Sequence, residues 1–320
     1  MRLCRFQFEE EDPLTGFYVD DQIIPIDQAV DAYCEAMNLE LLVHETDNLL
    51  DLLPPRGQSF RAVRELARWI ETLDTDALAE LTLPIEEVHL LTPIERPGKL
   101  LLLAGNYAEH IVEGGGIAAE RAETFPYVFM KPITTLAHPG DPIRIPKVSP
   151  DTIDWECELG VVIGQTCKDV SEAEALKYVA GYTVVNDISD RNFRPNPTRK
   201  KREKDTFFDW LHGKWHDGSC PIGPCIRSAD SVADPQALGL KLSVNDEVMQ
   251  DDSTAKMIFP VSAVVAFLSS FVTLQPGDIL STGTPSGVGK ARGRFLKPGE
   301  VVVAEIEGIG RLENPVEAEG

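Results

Sequence analysis

The segment Asp154-Trp-Glu-Cys-Glu-Leu-Gly-Val-Val-Ile-Gly164 constrains this chain more than any other. Its run Leu159–Ile163 is apolar and rich in β-branched residues, the signature of a buried strand. Side chains alternate along a strand, so Glu156 and Glu158 share one face and Cys157 takes the other. Two carboxylates on one buried face repel each other and resist desolvation, so the fold must compensate them. A divalent cation is the simplest means. A second strand-like run, Tyr182-Thr-Val-Val-Asn-Asp187, ends in another carboxylate. Glu156, Glu158 and Asp187 together form a hard, all-oxygen ligand set. Such a set suits Mg²⁺ or Mn²⁺, and Ca²⁺ as well, rather than Zn²⁺, which favours His and Cys.

Charge narrows the range of partners. The formal net charge is −22. So acidic a surface excludes nucleic acid and anionic membrane as bulk partners, and an anionic substrate needs a local basic pocket. No apolar run approaches the ~20 residues that span a bilayer. The six cysteines are dispersed, without a Cys-x-x-Cys pair, and read as reduced thiols of a cytoplasmic protein. Cys220 and Cys225 admit a redox reading, but core-filling is the commoner use of free cysteine.

Residues 1–96 differ in texture from residues 97–320, and the sequence predicts a small N-terminal α+β domain before a larger one. The first part begins with strands at Leu3–Phe8, Gly16–Val19 and Gln22–Ile26, the last two joined by an Asp20-Asp21 turn. Amphipathic helices follow over Ile26–Asn38 and Phe60–Thr72. From Lys99 on, short strands dominate, punctuated by Pro139-Gly140, Pro276-Gly277 and Pro298-Gly299. Two helices interrupt them, Ser171–Val179, capped by Ser171, and Pro260–Phe271. Many short strands with few helices predict an α+β fold with a rolled, barrel-like mixed β core.

Several segments then occur together in one order: Gly105-Asn-Tyr-Ala-Glu-His110, Phe129-Met-Lys-Pro132, Glu156-Cys-Glu158, Asn186-Asp187-Ile-Ser-Asp-Arg191, Gly213-Lys214, Cys220-Pro-Ile-Gly-Pro224, Met257-Ile-Phe259, and Gly277 through Gly289. In these the chain resembles the fumarylacetoacetate hydrolase family over roughly residues 99–316. Its N-terminal region is similar to the accessory domain of the longer bacterial members. The resemblance implies a mixed β-roll core, a Mg²⁺ or Mn²⁺ ion at Glu156, Glu158 and Asp187, and a homodimer. It also implies chemistry on a small anionic 2-oxo or 2,4-dioxo acid.

His110 and Glu113, three residues apart, share one face of a helical turn. Alone, such a pair reads as a solvated surface pair. In the matching Gly-Asn-Tyr context it reads as a general-base dyad in a lid hinged by Gly114–Gly116. The resemblance implies that Lys214 lies over the active site and stabilises negative charge, with Lys131 a second lysine of the same kind. Thr284 offers a hydroxyl to a substrate carboxylate, or is simply a turn residue before proline. Arg191 matches the family arginine four residues after the metal Asp. Arg194 departs from the family pattern, which often has Gln there. A longer, permanently charged side chain either reads an extra carboxylate or hydroxyl, or turns away and leaves the oxyanion site to be built differently. The run Arg194–Lys204 is the strongly basic stretch of an acidic chain. It is either a solvated loop or helix, or a field that gathers dianionic substrates. Gly287-Val-Gly-Lys290 imitates a phosphate loop, but Ala291 stands where Ser or Thr is required.

The expected activity is metal-dependent hydrolysis of a C–C bond in an acylpyruvate or a diketo-deoxy sugar acid. The same centre would also serve decarboxylation, hydration or enol–keto isomerisation. A catalytically silent dimeric ligand-binding protein is the reading from another class.

Overall fold

The computed structural model describes residues 1–9, 11–44 and 47–320. Its architecture is α+β, built on two large open sheets, neither of which closes into a barrel, and a two-stranded ladder of Ile153–Asp154 with Ser189–Asp190. The larger sheet carries the site. Its centre is the strand Cys157–Ile163, flanked by Val179–Asn186 on one side and Ile279–Ser281 on the other. Beyond Val179–Asn186 lies Cys220–Ser228, and beyond Ile279–Ser281 lie Leu100–Ala104 and Tyr127–Met130. The smaller sheet has five strands in the order Glu247–Ser253, Gly239–Val244, Val301–Ile306, Gly310–Ala318, Ile143–Ile145.

Residues 1–96 extend the larger sheet. The strand Arg2–Gln7 pairs antiparallel with Cys220–Ser228, placing Arg2 opposite Arg227 and Leu3 opposite Ile226. Leu14–Val19 and Gln22–Pro25 follow outward, joined at Asp20, whose φ of 52° suits a tight hairpin. The helices Ile26–Met37 and Phe60–Ile70 turn Ile26, Ala29, Tyr33, Val63 and Leu66 inward, onto a core with Val162, Val185 and Ile226 of the sheet. On the other side, Leu159, Val161 and Ile163 pack with Leu240, Leu242, Val302 and Ala304 of the five-stranded sheet. The central strand is therefore covered on both faces, which explains its unbroken apolar run. A Cβ at Gly181 would sit 2.4 Å from the Arg227 carbonyl oxygen, so this crowded crossing admits only glycine.

Two local expectations differ. The segment after Ser171 is helical only over Glu172–Ala175 and then tightens to a 3₁₀ turn over Leu176–Tyr178. Ser171 makes no side-chain capping bond. Strand pairing of Val179 with Ile163 draws the chain into the sheet and stops the helix short. The basic run leads into an unexpected helix, Asp205–His212. Arg199 and Arg202 are paired there with Asp205, and Arg199 also with Asp209. No helix among the described residues is long and apolar enough to cross a membrane.

Candidate active site

Antiparallel pairing brings the three acids together. Cys157 lies opposite Asn186, so Glu156, just before one strand, meets Asp187, just after the next. The Asp187 amide donates to the Glu156 carbonyl at 2.9 Å and locks that corner. One carboxylate oxygen from each of Glu156, Glu158 and Asp187 lies within 4.8 Å of the others, and all three residues are buried.

Cations of the chain compensate two of the three. Lys214 Nζ donates to Glu156 Oε2 at 2.8 Å and to Asp187 Oδ2 at 2.6 Å. Lys131 Nζ donates to Asp187 Oδ1 at 2.7 Å and to the carbonyls of Ile188 and Ser219 at 3.1 and 2.7 Å. Arg191 Nε donates to Asp154 Oδ2 at 2.7 Å, and its Nη2 lies 2.6 Å from Glu156 Oε1. Burial raises the Glu156 carboxyl pKa, but Lys214 and Arg191 outweigh it and hold the group well below the usual carboxylate range. Burial also opposes the charge on Lys214, yet Asp187 and Glu156 overcome it and raise the ammonium.

Glu158 is the exception. Its Oε2 accepts from Ser281 Oγ at 2.5 Å and from the Gly283 amide at 2.9 Å. Its Oε1 is buried without a hydrogen-bond partner among the described residues. Burial, then Asp187 and Glu156, pushes its pKa far up. An orphaned carboxylate oxygen beside two further acids fits a hard divalent cation. Charge balance agrees. Glu156, Glu158, Asp187 and Asp154 face Lys131, Lys214 and Arg191, leaving one negative charge uncompensated when all four acids are ionised. A divalent ion would turn that into one positive charge, the complement of a single substrate carboxylate.

A cavity of about 180 Å³ opens on this cluster, and Glu156, Lys214, Arg191, His110, Phe129 and Trp210 all reach it. His110 Nδ1 is 2.8 Å from Glu113 Oε1. The second Glu113 oxygen accepts from the Gly287 amide at 2.9 Å, which fixes the dyad against the opposite loop. Burial raises the Glu113 pKa, but the bonds from His110 and Gly287 prevail and the net shift is downward. The dyad sits on the short helix Ala108–Glu113. Asn106, just before it, anchors the loop through Phe259 and Thr282.

The remaining sequence candidates separate by contact. Lys131 directs its three bonds at protein oxygens and positions Asp187. Thr284 lines the cavity, but its hydroxyl donates to the Cys157 carbonyl at 2.9 Å and accepts from Gln250 at 2.8 Å. Arg194 is exposed and lies outside this cavity, in an adjoining pocket. The phosphate-loop imitation serves an internal anion. The amides of Gly289 and Lys290 donate to Asp154 at 2.6 and 2.9 Å. Sequence reasoning missed Ser281, Gly283, Gln250 and Asp154. The first two lie in the Gly277–Gly289 segment, and Asp154 opens the Glu-Cys-Glu segment.

The family model described as Fumarylacetoacetate (FAA) hydrolase C-terminal matches residues 99–317. The chain belongs to the fumarylacetoacetate hydrolase family. Among relatives, it is 37% identical over 297 residues to the mitochondrial oxaloacetate tautomerase of Xenopus laevis, covering 90% of this chain and 88% of that protein. It is 39% identical over 265 residues to a 2,4-didehydro-3-deoxy-L-rhamnonate hydrolase of Sphingomonas sp., covering 79% and 88%. The crystal structure of maleylpyruvate hydrolase from Sphingobium sp. SYK-6 in complex with manganese (II) ion and pyruvate matches with a TM-score of 0.70 at 28% identity, covering both chains fully. The fumarylacetoacetate hydrolase family thus includes hydrolases, tautomerases and isomerases, and a manganese complex is known for one neighbour.

One acid at the site is structural. Asp190 Oδ1 accepts from Ser149, Thr152 and the Asn192 amide, and Oδ2 is 3.2 Å from His216 Nε2. Burial raises its pKa, but these bonds prevail and leave it below the usual value. A depressed folded pKa contributes stability that is complete above the unfolded value near 4 and fades as pH falls through the folded one. Asp190→Asn should cost about 1–3 kcal/mol at pH 7. Thermal melts of both proteins between pH 7 and pH 3 should show the gap narrowing on the acid side. A gap that widens there contradicts this assignment.

Proposed function

We propose that this chain hydrolyses the C–C bond between C3 and C4 of a 2,4-dioxo acid, with a divalent ion bound by Glu156, Glu158 and Asp187. The supporting observation is the His110–Glu113 dyad opening on the same cavity as Glu156 and Lys214. The bound ion would supply Lewis-acid stabilisation to the 2-oxo end of the substrate. Glu113 accepts from His110 Nδ1–H and so selects the tautomer whose Nε2 is free to take a proton. His110 removes that proton from water as its oxygen adds to C4. The C3–C4 bond then breaks, its electron pair passing to C3, which takes up the proton that His110 removed from water and so completes the 2-oxo acid product. The other fragment leaves as a carboxylic acid. Lys214, on the cavity wall, offsets the negative charge that develops on the 2-oxo fragment.

A second reading, keto–enol tautomerisation, is favoured by the relative from Xenopus laevis. It needs a proton shuttle but no attacking water. Proton NMR in D₂O separates the two. Hydrolysis yields two new fragments from a 2,4-dioxo acid, whereas tautomerisation yields only deuterium exchange at C3, faster than in an enzyme-free control. Exchange without fragments contradicts the hydrolase reading.

The chain is also proposed to form a homodimer. Phe125, Tyr127, Met130, Phe207 and Phe271 border an apolar groove of about 760 Å³, and all five are exposed. Contiguous apolar surface of this kind marks an interaction face. Sedimentation should give a two-chain particle that Tyr127→Lys, Phe271→Lys converts to single chains. A wild-type monomer contradicts the proposal.

A further inference from the structure

The 180 Å³ cavity is small against the roughly 300–1,000 Å³ typical of ligand sites, so a substrate longer than its 2-oxo end must extend out of it. Two larger pockets share its walls. One is the apolar groove, reached past Ala104, Phe129 and Trp210. The other, of about 660 Å³, is reached past Arg191 and Trp210 and contains Arg194, Lys204 and Lys290.

The second pocket is electrostatically unusual. In a chain of net charge −22, most cations are expected to find acids. Arg199 and Arg202 do so on the neighbouring segment. Within the pocket, Asp209 is taken by Arg199, and Arg191 is held by Asp154 and Glu156. The side chains of Arg194, Lys204 and Lys290 form no ion pair among the described residues, and Glu203 is the single free carboxylate beside them. All four are exposed. Three unpaired cations thus stand at one mouth of the site. The metal end, loaded with a divalent ion, carries charge for one substrate carboxylate.

We propose that the Arg194–Lys204–Lys290 pocket receives a second carboxylate at the far end of the substrate, so that this enzyme prefers dicarboxylic 2-oxo acids. The proposal rests on the reading that Glu156, Glu158, Asp187 and Lys214 receive the 2-oxo end. Arg194 offers a planar fork to the distal carboxylate, and Lys290 and Lys204 add point charges beside it. The departure at Arg194 would then set substrate choice and leave the bond-breaking chemistry unaltered.

Two stable ligands of equal chain length test it without turnover: 2-oxoadipate, which ends in a carboxylate, and 2-oxohexanoate, which ends in a methyl group. Calorimetric titration of each into the Mn²⁺-loaded protein should show 2-oxoadipate binding about tenfold more tightly. In the Arg194→Gln, Lys290→Gln double variant that ratio should fall to about one. Both side chains are exposed, and unchanged thermal melts would confirm that the variant folds. A wild-type ratio near one, or a tenfold ratio that survives the double substitution, overturns the distal site while leaving the 2-oxo acid reading intact. Binding of neither ligand overturns that reading and the distal site with it.

Discussion

Replacing Glu158 by Gln should abolish both metal affinity and turnover. The substitution keeps the volume and retains an oxygen for Ser281 and Gly283, so the fold should persist. It removes the charge of the one carboxylate in the cluster that no lysine or arginine contacts directly. Lewis-acid stabilisation contributes several kcal/mol to catalysis, so the rate should fall by roughly a thousandfold or more. Saturating Mn²⁺ at about a hundred times its dissociation constant stabilises a protein by about 2.7 kcal/mol. Wild type should therefore show a rise of several degrees in melting temperature with Mn²⁺, and Glu158→Gln none. A full shift in the variant would remove Glu158 from the metal centre.

His110→Gln should separate water activation from metal binding. The imidazole contacts Glu113 and has no hydrogen bond to the three acids. Its loss should leave the Mn²⁺-induced melting shift in place. Hydrolysis of a 2,4-dioxo acid should fall by about 10²–10⁴-fold, the usual contribution of a positioned general base. Fragment release at the wild-type rate would exclude His110 as that base. If fragment release stops but C3 exchange in D₂O still runs faster than in the enzyme-free control, the residue serves the attacking water alone.

What could be read from the chain follows from how local each interaction is. Glu156-Cys-Glu158 stands out because burial and like charge conflict within three residues. Asp187 follows because a second apolar run ends there. Their juxtaposition is the simplest long-range contact, two adjacent antiparallel strands. The environment of Glu158 was not legible, since Ser281 lies 123 residues away and meets it through a third strand. Lys131 and Lys214 were visible as lysines, but their division of labour depends on where their ammonium groups point. Lys131 is fixed by two carbonyls and one oxygen of Asp187, while Lys214 bridges two acids on the cavity wall. The pairing of Arg2–Gln7 with Cys220–Ser228 joins segments more than two hundred residues apart, and no local pattern encodes it. Val179 shows the opposite failure. Helical pattern alone carried the expected helix through it, and sheet pairing overrode that.

Turnover should depend on the ion that Glu156, Glu158 and Asp187 are proposed to hold. The direct measurement is cleavage of a 2,4-dioxo acid by protein stripped with EDTA and then titrated with Mn²⁺. The stripped protein should show no turnover, with full recovery at one ion per chain. Undiminished cleavage in EDTA would contradict it.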